Sequence, residues 1–394
     1  MIRKNILTGW LGGLGNMTGG GLMAIALSVA LSMLLGGCSA GGGITGGGGG
    51  GGGTGVPELA FTTDVTLNLV SVFTVDRVTG VWTANGSAAT GMGPVAEVVH
   101  PSGKFLYVAN SVSGDISAFS ISTSGALQPI TGSPFAAPSL PHALAIDSTG
   151  TFLYAATRTT PTPSGISVLT GFTINATTGA LTPILQTAQR SDTSTSGLTF
   201  APTTRFLYAA DLANDVMGFS AMAVSGVLAP VPGSPFAAGN LPFGIAAHPS
   251  GKFIYVANSG DNNVSGYSVD AGTGRLTPIS GSPISSGRTP QAAVVEPTGK
   301  FLYVTNSLDD SVSAFSINAA SGVLIPVAIS PFRTGIGPGV TAADPTGNFL
   351  YVVNVADNDI SLFLIQSDGS LSAFVPIESG AATISAVAFR AGHL

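Results

Sequence analysis

Two side chains suited to proton transfer stand out in this sequence of 394 residues. His142 follows Pro141, and a histidine can accept a proton near neutral pH. Glu97 is a carboxylate where six similar segments of the chain hold apolar or small residues, namely Leu144, Leu198, Ile245, Ala293, Thr341 and Ala386. A carboxylate in such surroundings is either paired or functional. We predict His142 and Glu97 as a catalytic pair, and the alternative for His142 is a hydrogen-bonded rim residue.

Five further polar residues are candidates for binding a ligand. Arginine side chains suit a carboxylate or a phosphate because the guanidinium fork can donate to two oxygens. The alternative for each arginine is a solvated loop charge with little energetic effect. The predicted ligand-binding residues are Arg158, Arg190, Arg288, Gln291 and Arg333.

The composition and the motifs exclude several classes of protein. The net charge is -6, and 13 basic residues spread over the chain do not make the dense basic face that nucleic acid requires. The sequence contains no phosphate-binding Walker loop, no HExxH motif and no EF-hand spacing. His100 and His248 precede turns and are interpreted as turn residues. The sequence therefore predicts no metal site, no cofactor and no nucleic-acid partner.

A repeat sets the elements that must carry these side chains. The phrase GKFLYVAN at residues 103–110 returns as GKFIYVAN at 251–258, GKFLYVTN at 299–306 and GNFLYVVN at 347–354. A period of this size, rich in β-type residues, is typical of propeller blades. A catalytic group is needed once, so we expect the recurring tyrosine to serve packing. Spaced 47 to 54 residues apart, the tyrosines that mark six units are Tyr107, Tyr154, Tyr208, Tyr255, Tyr303 and Tyr351.

A seventh unit, marked by Phe61, lacks the first of its four strands. The segment TISAVAFRAG at residues 383–392 aligns with PVAEVVHPSG at residues 94–103 and supplies that strand. Closing the ring in this way removes exposed sheet edges. The sequence thus predicts an all-β, seven-bladed β-propeller over residues 56–394, with four-stranded blades and the C-terminal strand completing the N-terminal blade. An open β-solenoid is the alternative.

The repeated phrase resembles the YVTN repeat, and residues 56–394 resemble the seven-bladed β-propeller lactonase family, which includes 6-phosphogluconolactonase. The Asp-Leu-Gly-x-Asp run that this family often carries is replaced here by TRTTPTPSG, and a partial match with Asp211 and Asp215 follows one unit later. The resemblance implies a propeller fold and hydrolysis of a lactone. The residues that match the family's PH…D..G segment are Pro141, His142, Asp147 and Gly150.

The N-terminal segment indicates export. A basic start is followed by an apolar stretch at residues 22–35 and by LGGC, which ends at the single cysteine, Cys38. This order is typical of a secretory signal and resembles the bacterial lipobox, in which the cysteine is lipidated. We expect a signal peptide over residues 1–37 and a lipidated Cys38 with a glycine-rich tether over residues 38–55. A plain transmembrane anchor is the alternative, although the apolar run is short for one.

Two functions are open on this evidence. The first is a lipid-anchored propeller of the cell envelope that faces the periplasm or the exterior and binds a small molecule or an envelope protein at its central face. The second is a lactonase-family hydrolase. A sugar phosphate is a cytosolic metabolite, so an exported enzyme would need a different lactone. We favour the first function because polar residues at the central face are few, and we expect a monomer.

Overall fold

The computed structural model describes residues 56–158, 167–185, 188–189, 194–372, 375–377 and 384–391. These residues form 33 β-strands in seven antiparallel sheets arranged around a central tunnel. The fold is a seven-bladed β-propeller, which confirms the prediction from the repeat. No helix in the described ranges is long and apolar enough to cross a membrane. The predicted signal peptide, Cys38 and the tether lie outside the described residues.

Each sheet is one blade, and the blades are numbered along the chain. Blade one contains β1 (Leu59–Asp64), β2 (Leu69–Val75), β3 (Trp82–Ala89) and β33 (Ile384–Arg390). Blade two contains β4 (Pro94–Val99), β5 (Phe105–Asn110), β6 (Asp115–Ile121), β7 (Leu127–Pro129) and β8 (Phe135–Ala136). Blade three contains β9 (Leu140–Ile146), β10 (Phe152–Arg158), β11 (Ser167–Ile174), β12 (Leu181–Pro183) and β13 (Ala188–Gln189). Blade four contains β14 (Thr195–Phe200), β15 (Phe206–Asp211), β16 (Asp215–Ala221), β17 (Leu228–Pro230) and β18 (Phe236–Ala237).

The remaining three blades follow the same order. Blade five contains β19 (Pro242–Ala247), β20 (Phe253–Asn258), β21 (Asn263–Val269), β22 (Leu276–Pro278) and β23 (Ile284–Ser285). Blade six contains β24 (Pro290–Val295), β25 (Phe301–Asn306), β26 (Ser311–Ile317), β27 (Leu324–Pro326) and β28 (Phe332–Arg333). Blade seven contains β29 (Pro338–Ala343), β30 (Phe349–Asn354), β31 (Asp359–Leu364) and β32 (Val375–Ile377).

The second strand from the tunnel is the most buried element of each blade. In blade two this strand is β5, and all six of its residues are buried because a neighbouring blade packs on each face. A strand that is covered on both faces reads as a continuous apolar run rather than as an alternation. This burial explains the phrase FLYVAN, and it divides the core into seven layers between blades.

The outermost strand is interrupted in blades two to six, which the sequence-based prediction of four plain strands missed. In blade two, β7 pairs with one end of β6 and β8 pairs with the other end. Ser133 lies between them, and its Oγ accepts the backbone N–H of Ala118 in β6 at 2.9 Å. The serine replaces a ladder acceptor that the broken strand cannot offer. Equivalent bonds are made by Ser234, Ser282 and Ser330.

The C-terminal strand closes the ring as predicted, because β33 pairs with β1 along its length. The register differs by one residue from the sequence alignment. Ser385 is left unpaired as a bulge, so Val387 rather than Ala386 occupies the place that Glu97 has in blade two. The residues on either side of Ser385 are small or apolar, so an alignment of sequences does not reveal the bulge. A shift of one residue in the register moves each side chain to the other face of the strand.

The recurring tyrosine fastens each blade to the next. The hydroxyl of Tyr107 in blade two donates to the carbonyl oxygen of Gly179 in blade three at 2.8 Å. This contact confirms the tyrosine as a packing residue, and its burial raises the pKa of the phenol. The same bond joins Tyr208 to Gly274, Tyr255 to Gly322, Tyr303 to Gly369 and Tyr351 to Gly80 at 2.6–3.1 Å, and also joins Tyr154 to Gly226.

The acceptor of this bond has to be a glycine for two reasons. Gly179 has a φ of 72°, in the left-handed region that favours glycine. A Cβ at this position would also lie 2.6 Å from Cδ1 of Phe105 in the preceding blade. Phe105 and Tyr107 are the first and third residues of the FLY phrase, so the phrase places an aromatic ring on the glycine and a hydroxyl on its carbonyl.

Blade one has Phe61 instead of a tyrosine and cannot make this bond. Arg390, the last residue of β33, reaches the equivalent turn of blade two, where Nη1 donates to the carbonyl oxygen of Ser122 at 2.8 Å. Its Nη2 donates to the carbonyl oxygen of Pro57 at 3.1 Å. The arginine is 4% exposed. The C-terminal strand therefore provides both the closing strand and the link between blades one and two.

The tyrosine bond yields a stability prediction. We expect Tyr255→Phe to lower the free energy of unfolding by about 1–2 kcal/mol, because the buried carbonyl of Gly322 loses its donor. Urea unfolding followed by circular dichroism measures the change. Tyr303→Phe is the matched comparison and should lose less, because its bond is the longest of the set at 3.1 Å. Unchanged stability in Tyr255→Phe would contradict the role of the hydroxyl.

Candidate active site

The innermost strands begin at one face of the propeller, which we call the entry face, and end at the opposite exit face. Each innermost strand has a bulge near its start. A bulge re-aims a side chain relative to its sheet. The residues at these bulges surround the tunnel mouth and are Val95, His142, Ser196, Phe243, Gln291, Gly339 and Ser385.

Two backbone carbonyls hold the ring of His142. Nε2 lies 2.6 Å from the oxygen of Thr195 in blade four, and Nδ1 lies 3.2 Å from the oxygen of Leu140. We assign the proton to Nε2 from the shorter contact, which leaves the lone pair on Nδ1. Burial, followed by the positive charge of Arg158, lowers the pKa of His142 to about 4, against an opposing effect of the two carbonyls. The ring is therefore neutral at neutral pH.

The Nε2 bond of His142 is one of a set of links between innermost strands. Ser196 Oγ donates to the carbonyl oxygen of Pro242 at 2.7 Å, and Ser385 Oγ donates to that of Pro94 at 2.7 Å. Each bond runs from a bulge to the first residue of the next innermost strand. His142 is therefore hydrogen-bonded at the rim, as in the alternative that the sequence left open, and Nδ1, which lies 3.2 Å from the carbonyl oxygen of Leu140, carries the lone pair.

Arg158 is a charged residue that influences this histidine. It ends β10 and pairs with Leu140 at the start of β9. Its charge contributes to the low pKa of His142, which puts the two side chains within electrostatic reach. Arg158 Nε is buried and has no hydrogen-bond partner among the described residues, and burial lowers the pKa of the guanidinium. A buried donor without a partner is costly, so this group is suited to bind an oxygen of a ligand.

Gln291 supplies an uncharged donor on the other side of the tunnel. It lies at the bulge of β24 in blade six and is 6% exposed. Its Nε2 has no hydrogen-bond partner in the part of the chain that the structure describes. Blade six is three blades away from blade three around the ring, so Gln291 belongs to the wall opposite His142.

Glu97 lies two residues further along β4 than the bulge and therefore deeper in the propeller. Both carboxylate oxygens are buried and have no hydrogen-bond partner within the described ranges. Burial raises the pKa of Glu97 to about 8, while the backbone of Ala388 in β33 lowers it. The contact with Ala388 lacks the geometry of a full hydrogen bond. The carboxyl group is therefore mostly protonated at neutral pH.

The structure does not bring Glu97 and His142 together. The influence of Ala388 puts the carboxyl of Glu97 on the side of β4 that faces blade one. The equivalent Leu144 likewise packs toward the blade that precedes its own. The ring of His142 instead bonds toward blade four. The expected contact within the pair is absent because the two side chains leave their strands in different directions.

The predicted arginines have different surroundings. Arg288 is exposed at the rim, where Nε lies 2.6 Å from Oδ1 of Asp309 and Nη2 donates to the carbonyl oxygen of Leu308 at 2.9 Å. Its guanidinium thus holds a turn of blade six. Arg333 is exposed on the outermost strand β28, away from the tunnel. Arg190 lies outside the described residues. Of the five predicted ligand-binding residues, Arg158 and Gln291 lie at the tunnel mouth.

Sequence reasoning missed the role of the asparagine that ends the repeated phrase. Asn110 Nδ2 donates to Asp115 Oδ1 at 2.6 Å and to Ser117 Oγ at 2.9 Å, which ties β5 to β6 below the entry face. Blade three has Thr157 at this position, directly before Arg158. Blades one and four hold Asp64 and Asp211 at this position, so the break at Thr157, beside Arg158, is one of three and was a weak signal for the candidate site. The same amide network is formed by Asn258, Asn306 and Asn354.

The two other described histidines belong to the exit face. His100 Nδ1 accepts the N–H of Ser102 at 3.0 Å, and Nε2 donates to the carbonyl oxygen of Gly150 at 2.9 Å. His248 makes the same contacts, which confirms both as turn residues. Within the described ranges, no three His, Cys, Asp or Glu side chains are grouped to hold a metal ion. A cavity of about 70 Å³ near Val264 and Leu324 has no titratable residue in its lining and lies far from the tunnel mouth.

Family comparison agrees with this architecture. The family described as lactonase, 7-bladed beta-propeller, matches residues 57–194 and 197–386. The chain belongs to this lactonase family. A comparison with curated proteins found no match.

Solved structures with the same fold include two bacterial proteins. A periplasmic gluconolactonase of Pseudomonas aeruginosa is 19% identical, with a TM-score of 0.73 over 85% of this chain and 99% of that chain. A putative 6-phosphogluconolactonase of Bacteroides uniformis is 20% identical, with a TM-score of 0.71 over 85% of this chain and 99% of that chain. At these identities the likeness establishes the lactonase propeller fold and nothing finer.

Glu97 makes the stability of this lactonase-family propeller depend on pH. Its folded-state pKa of about 8 lies above the ordinary value of 4.5, so the folded protein binds more protons between these pH values. The contribution of Glu97 to stability should therefore be fully present below pH 4.5, be lost as the pH rises through 8, and then stay constant. Glu97→Gln should remove this fall and stabilise the protein at pH 8.5 by a few kcal/mol, at about 1.4 kcal/mol for each pKa unit.

Urea unfolding of both proteins at pH 5 and pH 8.5 measures the effect. Burial also raises the pKa of Glu58, to about 7, and this adds a fall that both proteins share. The difference between them isolates Glu97. A constant difference at the two pH values would show that Glu97 titrates normally.

Proposed function

We propose that this chain is a lactone hydrolase whose active centre lies at the entry-face mouth of the tunnel. The observation that carries the proposal is the neutral ring of His142 within electrostatic reach of Arg158, whose buried Nε has no hydrogen-bond partner among the described residues. Family membership supports hydrolysis of a lactone as the reaction. The P. aeruginosa relative is a gluconolactonase by name, which supports the same reaction class.

The reaction needs a base and a donor for the developing oxyanion. The ring of His142 tilts so that Nδ1 leaves the Leu140 carbonyl, 3.2 Å away, and takes a proton from a water as that water adds to the lactone carbonyl carbon. The new Nδ1–H then points to the carbonyl oxygen of Leu140, 3.2 Å away, which stabilises the charged ring. The guanidinium of Arg158 donates to the oxyanion. The ring C–O bond breaks, and the leaving oxygen takes the proton back from Nδ1 to give a hydroxy acid.

Gln291 and Glu97 have different places in this proposal. Gln291 Nε2, on the opposite wall, has no hydrogen-bond partner among the described residues. It orients the substrate by donating to one of the substrate's oxygens. Glu97 faces blade one, so its carboxyl is assigned no proton transfer. The proposed catalytic pair is therefore His142 and Arg158, in place of the pair of His142 and Glu97 that the sequence suggested.

A non-catalytic binding protein is the second candidate function. One observation favours it, namely that His142 makes the same link between blades as Ser196 and Ser385. In that case the tunnel mouth would bind a small molecule or an envelope protein through Arg158 and Gln291 without turnover. Measurement of turnover therefore decides between the two candidates.

The chain itself offers the variant that separates the two roles of His142. We expect His142→Ser to keep the link between blades, as serine does in blades one and four, and to lower kcat/KM for lactone hydrolysis by about 10²–10⁴. Arg158→Met should lower it by about 10²–10³ through loss of the oxyanion donor. Hydrolysis is followed by acid release, with spontaneous opening subtracted. For the parent protein, kcat/KM should fall only below about pH 4, where the ring of His142 takes its second proton.

Two control variants complete this experiment. Ser196→Ala removes a link between blades without touching the base, and Glu97→Gln removes the carboxyl that faces blade one. Both should keep kcat/KM within about twofold, well inside the 10²-fold range of a lost acid or base. Full activity in His142→Ser, or its complete loss in Glu97→Gln, would refute the assignment.

We also propose that the protein is exported and held at a membrane by lipid on Cys38. The support is the basic start, the apolar run and LGGC in the sequence. The periplasmic location named for the P. aeruginosa relative supports export. The glycine-rich tether would leave the propeller free in the aqueous space.

Lipidation predicts where a cysteine variant is found. Cys38→Ser should leave the propeller folded and move it from the membrane fraction to the soluble fraction of the envelope after a salt wash, because the attachment site for the lipid is lost. Immunoblotting of the fractions measures this, with the parent protein as the membrane-bound reference. A variant that still sediments fully with membranes would exclude lipid on Cys38 as the anchor.

A further inference from the structure

The two faces of the propeller differ in formal charge. On the exit face, the described residues include seven acidic and seven basic side chains. Toward the entry face, nine aspartates, of which Asp64 and Asp211 are buried, outnumber three arginines, so the net formal charge of the described residues there is -6. The entry-face aspartates are Asp64, Asp115, Asp211, Asp215, Asp261, Asp309, Asp310, Asp357 and Asp359, and the arginines are Arg158, Arg288 and Arg333.

Three of these aspartates form an exposed acidic rim. Asp261, Asp309 and Asp357 occupy equivalent turns after the second strands of blades five, six and seven. Each accepts the backbone N–H that leads into an innermost strand, and Arg288 pairs with the second of them. Asp261 and Asp357 have no ion-pair partner in the described ranges. The rim is therefore held in place by the backbone and keeps most of its charge.

The tunnel mouth offers little positive charge against this rim. Arg158 is the described cation at the mouth, and Gln291 adds a neutral donor that is 6% exposed and has no described partner. The bulge positions of Val95 and Phe243 are apolar and partly exposed. A phosphate needs several charged or oriented donors, and like charges on a surface slow the approach of an anion. The mouth is built for a ligand with neutral oxygens.

We infer that the substrate of this site is a lactone without a phosphate or carboxylate substituent, which the neutral donor of Gln291 orients beneath a rim that repels anions. The inference rests on the proposed function for the reaction type, and on the rim charges for the substrate class. It assigns Asp261 and Asp357 a role in specificity in addition to their hydrogen bonds with the backbone.

The test compares D-glucono-δ-lactone with its 6-phosphate. We expect kcat/KM to be at least tenfold higher for the neutral lactone at low salt. The double variant Asp261→Asn, Asp357→Asn keeps one oxygen at each position to accept the backbone N–H and removes two charges, although position 261 loses its second acceptor for Asn240 Nδ2. It should raise kcat/KM for the phosphate about three- to tenfold and leave the neutral lactone unchanged, with the gain vanishing near 1 M salt. The matched control Asp270→Asn, Asp368→Asn removes the same charge from the exit face and should change neither substrate.

The outcomes separate this inference from the proposed function. Preference for the phosphate, or no gain for it in the rim variant, would overturn the inference while lactone hydrolysis stands. Absence of turnover with both lactones would overturn the proposed function. The inference is then judged by calorimetric binding of gluconolactam and its 6-phosphate, where tighter binding of the phosphate by the parent protein would refute it.

Discussion

The hydrogen bond from a tyrosine hydroxyl to a glycine carbonyl in the next blade is the contact on which the ring depends. It fixes three residues at once, because the glycine must adopt a left-handed φ and must leave room for the phenylalanine two residues before the tyrosine. Each blade therefore positions the turn of its neighbour. The same phenylalanine, tyrosine and glycine meet at six of the interfaces between blades. The phrase is therefore nearly the same in each of these blades.

Blade one, which the C-terminal strand completes, lacks the tyrosine and makes its link to blade two in another way. Phe61 has no hydroxyl, and Arg390 makes the equivalent link from the strand that completes the blade. The link is thus formed only after the C-terminal strand has paired with β1. Burial of an arginine with backbone carbonyls as partners is costly unless the geometry is good. Arg390 therefore ties the C-terminal strand to blade two as well as to the first segment of blade one.

The fold could be predicted from the sequence because the spacing of one aromatic residue reports the blade period directly. The site could be predicted only in part, since the bulges of the innermost strands leave no pattern in the sequence. A bulge decided that Val387 rather than Ala386 matches Glu97, and bulges aim His142 and Ser196 at the neighbouring blade. Residue type drew attention to Glu97 and His142, whereas the directions of their side chains followed from backbone geometry alone.

The repeated use of bulge residues as links between strands also explains why few side chains are left for binding or catalysis. Every bulge is an opportunity to present a side chain to the tunnel, yet His142, Ser196 and Ser385 use theirs to tie the innermost strands together. Among the described residues, Arg158 Nε and Gln291 Nε2 are buried donors without a partner, which is costly to stability unless a ligand pairs with them. In the inference drawn above, these donors attract a ligand's oxygens while the rim of aspartates repels a ligand's negative charge, so a small site can select by charge with few residues.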